Sequence, residues 1–137
     1  MADIDRIIKS VGEIPLSRWQ IDPEAEVPDP CSCSGGTGTF LATGEGGAQL
    51  KLVYDVEVRY GEDGRDSWYV CRLYIDGDLI FEQDDRGMCW FERRALVTIC
   101  KRVARHLQPQ MRTRHQCQIA ARKAREQEHT DALLKRL

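Results

Sequence analysis

The chain has 137 residues, 42% of them hydrophobic and 31% charged, with 20 Lys/Arg against 22 Asp/Glu. That length suits one domain, and the apolar share excludes wholesale disorder, because enough surface can be buried to offset the entropy lost on ordering. No apolar run reaches the roughly 20 residues that span a bilayer, and the start, MADIDRIIKSVGEI, lacks the apolar stretch of a secretory leader. A cytoplasmic address with free thiols is therefore expected.

In chain order, Ile4, Ile7, Ile8 and Val11 recur at helical spacing, so an N-terminal helix is predicted within residues 1–14. Residues 15–37 contain Pro15, Pro23, Pro28 and Pro30 and then a glycine cluster, and read as an extended connector that Trp19 anchors to the core. The sheet is expected over 38–83. A short strand at 38–43 turns at Gly44-Glu45-Gly46-Gly47 into a long one at 48–60, where Leu50, Leu52, Tyr54, Val56, Val58 and Tyr60 alternate with mostly polar residues. Tyr69, Cys71, Leu73 and Ile75 share one face of the next strand, 68–75. Asp76-Gly77 then marks a two-residue hairpin turn before a last strand at 79–83. A packing helix is predicted at 88–107, with Phe91, Ala95, Leu96, Ile99, Val103 and Leu107 as its apolar stripe. Pro109 should end or bend it before a basic C-terminal helix at 111–136. The fold class is thus α+β: a three- to four-stranded antiparallel meander packed by a helix, with a helix at each end of the chain.

Charge is distributed unevenly. Residues 1–90 hold 8 Lys/Arg and 18 Asp/Glu, whereas residues 91–137 hold 12 Lys/Arg and 4 Asp/Glu. Such polarity suits either a polyanion-binding segment or a charged face for a protein partner. It is equally met if the basic helices neutralise the acidic sheet of the same molecule.

Cys31-Ser32-Cys33-Ser34-Gly35-Gly36-Thr37-Gly38 resembles half of the cysteine-rich zinc module of DnaJ-type chaperones, with the cysteine spacing one residue shorter and no second pair following. That resemblance implies zinc at Cys31 and Cys33, completed by a distant ligand such as Cys89 or His115. A glycine-rich flexible loop accounts for the same residues. The phosphate-loop reading fails, because Gly38 leads into Thr39-Phe40-Leu41 and not into Gly-Lys-Ser/Thr and a helix. No Cys–His or paired-carboxylate arrangement matches a catalytic pattern, so no catalytic residue is assigned, no small-molecule substrate is evident, and the expectation is a binding protein that is not an enzyme.

Two binding modes remain. In the first, acids at Asp55, Glu57, Glu62, Asp63, Asp66, Asp76 and Asp78 form an acidic face on strand and turns. Leu133 and Leu134 supply an apolar contact on the last helix. Either surface would serve a protein partner, self-association, or a small regulator or inhibitor. In the second, Arg93, Arg94, Arg112, Arg114, Arg122, Lys123 and Arg125 contact nucleic-acid phosphates. The order strand, strand, strand, helix over 48–107 looks like the later part of a double-stranded-RNA-binding domain, though the helix start Met88-Cys89-Trp90-Phe91-Glu92-Arg93-Arg94 lacks the lysine-rich turn of those domains. Protein contact is preferred, because Ile119, Ala120, Ala124, Leu133, Leu134 and Leu137 on the last helix need a place to go.

Overall fold

The computed structural model describes residues 3–27, 35–61, 64–84 and 95–137; at 35–36, 57–61 and 64–67 it describes the backbone course alone. Helix α1 (Ile4–Gly12) opens on Asp3, whose carboxylate accepts from the Arg6 amide at 3.2 Å, the usual means of satisfying an orphan donor at a helix start. Ile8 and Val11 are buried, with Ile4 and Ile7 packed beside them, so the predicted aliphatic stripe is the docking face.

The connector is more ordered than its prolines imply. A 3₁₀ turn at Leu16–Arg18 leads to Trp19, buried in the core, and Gln20–Ile21 form a short edge strand, β1. β1 pairs antiparallel with β2 (Gly35–Thr43), matching Gln20 to Leu41 and Ile21 to Phe40. β3 (Gln49–Gly61), β4 (Gly64–Ile75) and β5 (Asp78–Asp84) complete an antiparallel sheet in chain order. Among the described residues the sheet has five strands, one more than the upper expectation, because a two-residue edge strand carries no periodicity to read. The glycine cluster is also a correction in part: from Gly35 it belongs to β2 and not to a loop.

The alternation predicted for the strands is present at Leu50, Leu52 and Tyr54 and from Tyr69 to Ile75, while the side chains of Val58 and Tyr60 lie outside the described residues. Phe40, Leu52, Leu73 and Phe81 stand opposite one another on successive strands. The first three are fully buried. The β4–β5 turn takes positive φ at both Asp76 (50°) and Gly77 (86°), as a type I′ hairpin requires. Asp76 also ties the turn to β3: its carboxylate accepts from the Gln49 amide at 2.9 Å, and its own amide donates to the Gln49 carbonyl at 2.8 Å.

Helix α2 (Ala95–Leu134) overturns the expectation of two helices. It runs for 40 residues through Pro109, about 60 Å at 1.5 Å per residue. The stretch 88–94 of the predicted packing helix lies outside the described residues. A proline in a helix interior removes one backbone hydrogen bond and costs about 3 kcal/mol. Burial of Leu107 and Met111 on either side of it holds the helix to its path. Leu96, Cys100, Val103, Leu107 and Met111 form the buried stripe, spaced by threes and fours, and Ile99 meets the end of α1 at Gly12, where an added Cβ would lie 3.2 Å from its Cδ1. Among the described residues no helix is long and apolar enough to cross a membrane.

Candidate functional site

α2 divides into three parts with different work. Its first part, to Met111, lies on the sheet. Its middle grips the connector: Arg114 donates to the carbonyls of both Asp22 and Pro23, and His115 Nδ1 lies 2.9 Å from the Val27 carbonyl. Since a carbonyl only accepts, the proton sits on Nδ1. Gln118 reads the same strap twice, accepting from the Val27 amide at 3.1 Å and donating to the Ala25 carbonyl at 3.4 Å. Arg122 pairs with Glu26 at 3.0 Å. These four side chains repeat at 114/115, 118 and 122, one helical face, so they line up along the segment Asp22–Val27, which turns at Pro23–Glu24 where the Ala25 amide donates to the Asp22 carbonyl at 3.1 Å. Lys51 of β3 approaches Asp22 from the other side at 3.9 Å.

Beyond Arg122 the third part stands clear of the connector: every residue from Lys123 to Leu137 is exposed. Leu133 is 47% exposed, Leu134 61% and Leu137 fully so. Leu133 and Leu134 therefore stand on the surface, as the contact reading requires.

The acidic residues do not converge. Asp76 and Asp78 flank the β4–β5 turn, whereas Asp66 lies near the other end of β4, roughly 30 Å away at 3.3 Å per strand residue. Glu57 pairs in register with Trp68, and Asp55 sits in mid-strand, exposed, accepting from the Thr37 hydroxyl at 3.1 Å. Glu62 and Asp63 lie outside the described residues. So do Arg93 and Arg94, and Cys31 and Cys33 with the zinc they would hold. Among the described residues no group of three or more His, Cys, Asp or Glu is placed to hold a metal ion. Of the basic candidates, Arg112, Lys123 and Arg125 are exposed on α2, while Arg114 and Arg122 are engaged with the strap.

Under the helix, Tyr54 stacks on Tyr69 with ring centroids 6.2 Å apart, and the Lys101 ammonium lies 4.3 Å from the Tyr69 ring centre. Burial raises the Tyr54 phenol pKa, reinforced by Tyr69. Cys71 and Cys100 meet where β4 faces α2, both fully buried. The hydrogen bond with Cys71, together with burial, pushes the Cys100 thiol well above its ordinary range. A thiol so held stays protonated and is a packing group, not a nucleophile.

A groove of about 650 Å³ opens between α1 with the 3₁₀ turn and the β2–β3 turn. Ile7, Ile14, Leu50 and Ile75 line it, and Asp3, Glu13 and Glu45 stand among its charged residues.

Sequence reasoning missed the strap clamp and the groove. The clamp was signalled by the helical spacing of Arg114, Gln118 and Arg122, set against Asp22, Glu24 and Glu26 in the connector. The groove had no sequence signal, because it joins residues from three distant parts of the chain. Compared with known proteins, the chain matches no protein family, no curated protein and no solved structure.

Proposed function

We propose that this chain is a non-catalytic intracellular binding protein that acts by protein–protein contact, with the end of α2 beyond Arg122 as its contact element. The observation that carries the reading is the exposure of Leu133 and Leu134 at the end of a helix already extended from a packed base, with Leu137 exposed just after it. The helical stretch beyond Arg122, residues 123–134, is short enough to be marginal alone in water, but here the packed half nucleates it and presents the end in a fixed direction. Leucines grouped at such a tip gain little from water and much from a partner's apolar surface. The acidic face is the weaker contact candidate, since the strands spread its members from end to end. A reducing cytoplasm suits the free thiols of Cys71, Cys100 and Cys117.

The test compares full-length protein with the Leu133→Glu/Leu134→Glu variant as baits in extract of the native host. Partners held by wild type and released by the variant support the reading. An unchanged set of captured proteins sinks it.

A second reading, nucleic-acid binding, is favoured by the exposure of Arg112, Lys123 and Arg125 along one helix. Glu126, Glu128 and Asp131 follow them and dilute the field. Titration of duplex and single strands at two salt concentrations decides: several phosphate contacts give steep salt dependence, and no binding at low salt removes this reading.

A further inference from the structure

The groove beside α1 and the leucines at the end of α2 are complementary surfaces of one chain that cannot meet within one molecule. Ile99 packs at Gly12, the end of α1, so the groove lies near the start of α2. Leu133 stands 34 residues further along a continuous helix, about 50 Å away along its axis. A molecule's own leucines are therefore held out of its own groove.

Their chemistry matches. The groove offers an apolar lining of Ile7, Ile14, Leu50 and Ile75. Three carboxylates, Asp3, Glu13 and Glu45, stand beside it against two guanidiniums, and that of Arg18 is turned to the Thr43 carbonyl at 2.7 Å. The tip of α2 presents Leu133 and Leu134, and Lys135, Arg136 and Leu137 follow directly, apolar groups flanked by cations. An amphipathic helix end laid into an apolar groove is a common recognition mode, and a cationic flank on an acidic rim sets its orientation.

We propose that the end of α2 docks into the α1 groove of a second copy, so that the protein associates head to tail. This rests on the reading of the helix tip as a protein-contact element and names its partner. The contact is heterologous: each copy offers a helix end at one side and a groove at the other, so association continues into short chains or closes into a ring. One helix end covers a small area, and association is correspondingly weak and concentration-dependent.

The experiment measures mass by light scattering and sedimentation equilibrium on the full chain up to about 1 mM. Wild type should rise above its 15.7 kDa monomer mass with concentration. Leu133→Glu/Leu134→Glu, which removes the tip, and Glu13→Arg/Glu45→Arg, which reverses the rim, should each stay monomeric. Ser10→Trp, which fills the groove without changing charge, repeats the second arm, and circular dichroism verifies the fold of each variant. An equimolar mixture of tip and rim variants should regain a twofold mass, because one supplies an intact groove and the other an intact tip. A wild type that stays monomeric, a rim variant that assembles as wild type does, or a mixture that fails to pair overturns the inference. None of these results alters the capture comparison for the tip variant, so the two ideas fail separately.

Discussion

Substituting Gly38 by alanine tests how the sheet is packed. Gly38 lies in β2 on the buried face, and an ideal Cβ there would stand 2.4 Å from Phe40 Cζ and 2.9 Å from Cε2. Carbon atoms rest at about 3.5–4.0 Å, so the ring would have to retreat by roughly 1 Å. It has nowhere to go: Phe40 is fully buried, opposite Leu52 on the next strand. Overpacking of this kind costs about 1–3 kcal/mol, and we expect Gly38→Ala to lose about 2 kcal/mol. Phe40→Leu shortens the side chain where the clash occurs. In that background Gly38→Ala should be neutral or stabilising by about 0.5 kcal/mol, since alanine orders at lower entropic cost than glycine. The double-mutant cycle should therefore show a coupling of about 2 kcal/mol. Urea unfolding, followed by tryptophan fluorescence and far-UV circular dichroism, measures all four proteins. Equal losses in both backgrounds, or a harmless single substitution, would refute the claim that the glycine exists to admit the ring.

Other expectations follow from the helix and the core. Gln118→Ala strands the amide of Val27, which is 2% exposed, and should cost about 2 kcal/mol in urea unfolding, as for a buried donor left unmade; a loss below about 0.5 kcal/mol would show that water replaces the side chain freely. Pro109→Ala restores an amide donor in mid-helix and should raise stability by about 1–3 kcal/mol, read as a higher midpoint; a lower midpoint would mean that Leu107 and Met111 need a bend there. Because the folded state raises the pKa of Cys100 and Tyr54, it holds protons that the unfolded chain sheds, so their contribution is complete below about pH 9 and declines as pH rises above the ordinary values of 9.0 and 10.0. Tyr54→Phe should flatten the decline above pH 10, and an unchanged slope of stability against pH would show that the phenol titrates freely.

The sheet was legible because its information is local. Alternation from Leu50 to Tyr54 and from Tyr69 to Ile75 assigns each residue to a face, and Asp76-Gly77 specifies a turn that few other pairs accept. What escaped was decided by tertiary contact. The pair Gln20–Ile21 is a strand only because β2 lies beside it. Pro109 reads as a break because propensity weighs one hydrogen bond, whereas the buried side chains before and after it weigh more. Gly35 and Gly36 read as loop because, in a sequence, glycine signals freedom; in the sheet they continue β2 opposite Glu57 and Val56.

The site divides in the same way. The excess of positive charge in the last third of the chain was visible at once, and it admitted a phosphate partner, a protein partner or the chain's own acids. The structure shows the third where Arg122 meets Glu26, while Arg114 is engaged by the Asp22 and Pro23 carbonyls and Lys101 by the Tyr69 ring. An excess charge can find its answer inside the molecule because acids are spread through the whole first part of the chain. The leucines at the tip of α2 have no such answer, since a rigid helix carries them away from every apolar surface of their own domain. Self-neutralisation thus weakens charge as a guide to the partner, and it leaves the apolar tip as the feature whose removal should separate binding from stability. Leu133→Glu/Leu134→Glu alters two exposed side chains and should change folding stability by no more than about 0.5 kcal/mol. A larger loss in urea unfolding would mean that the tip packs against its own domain in solution.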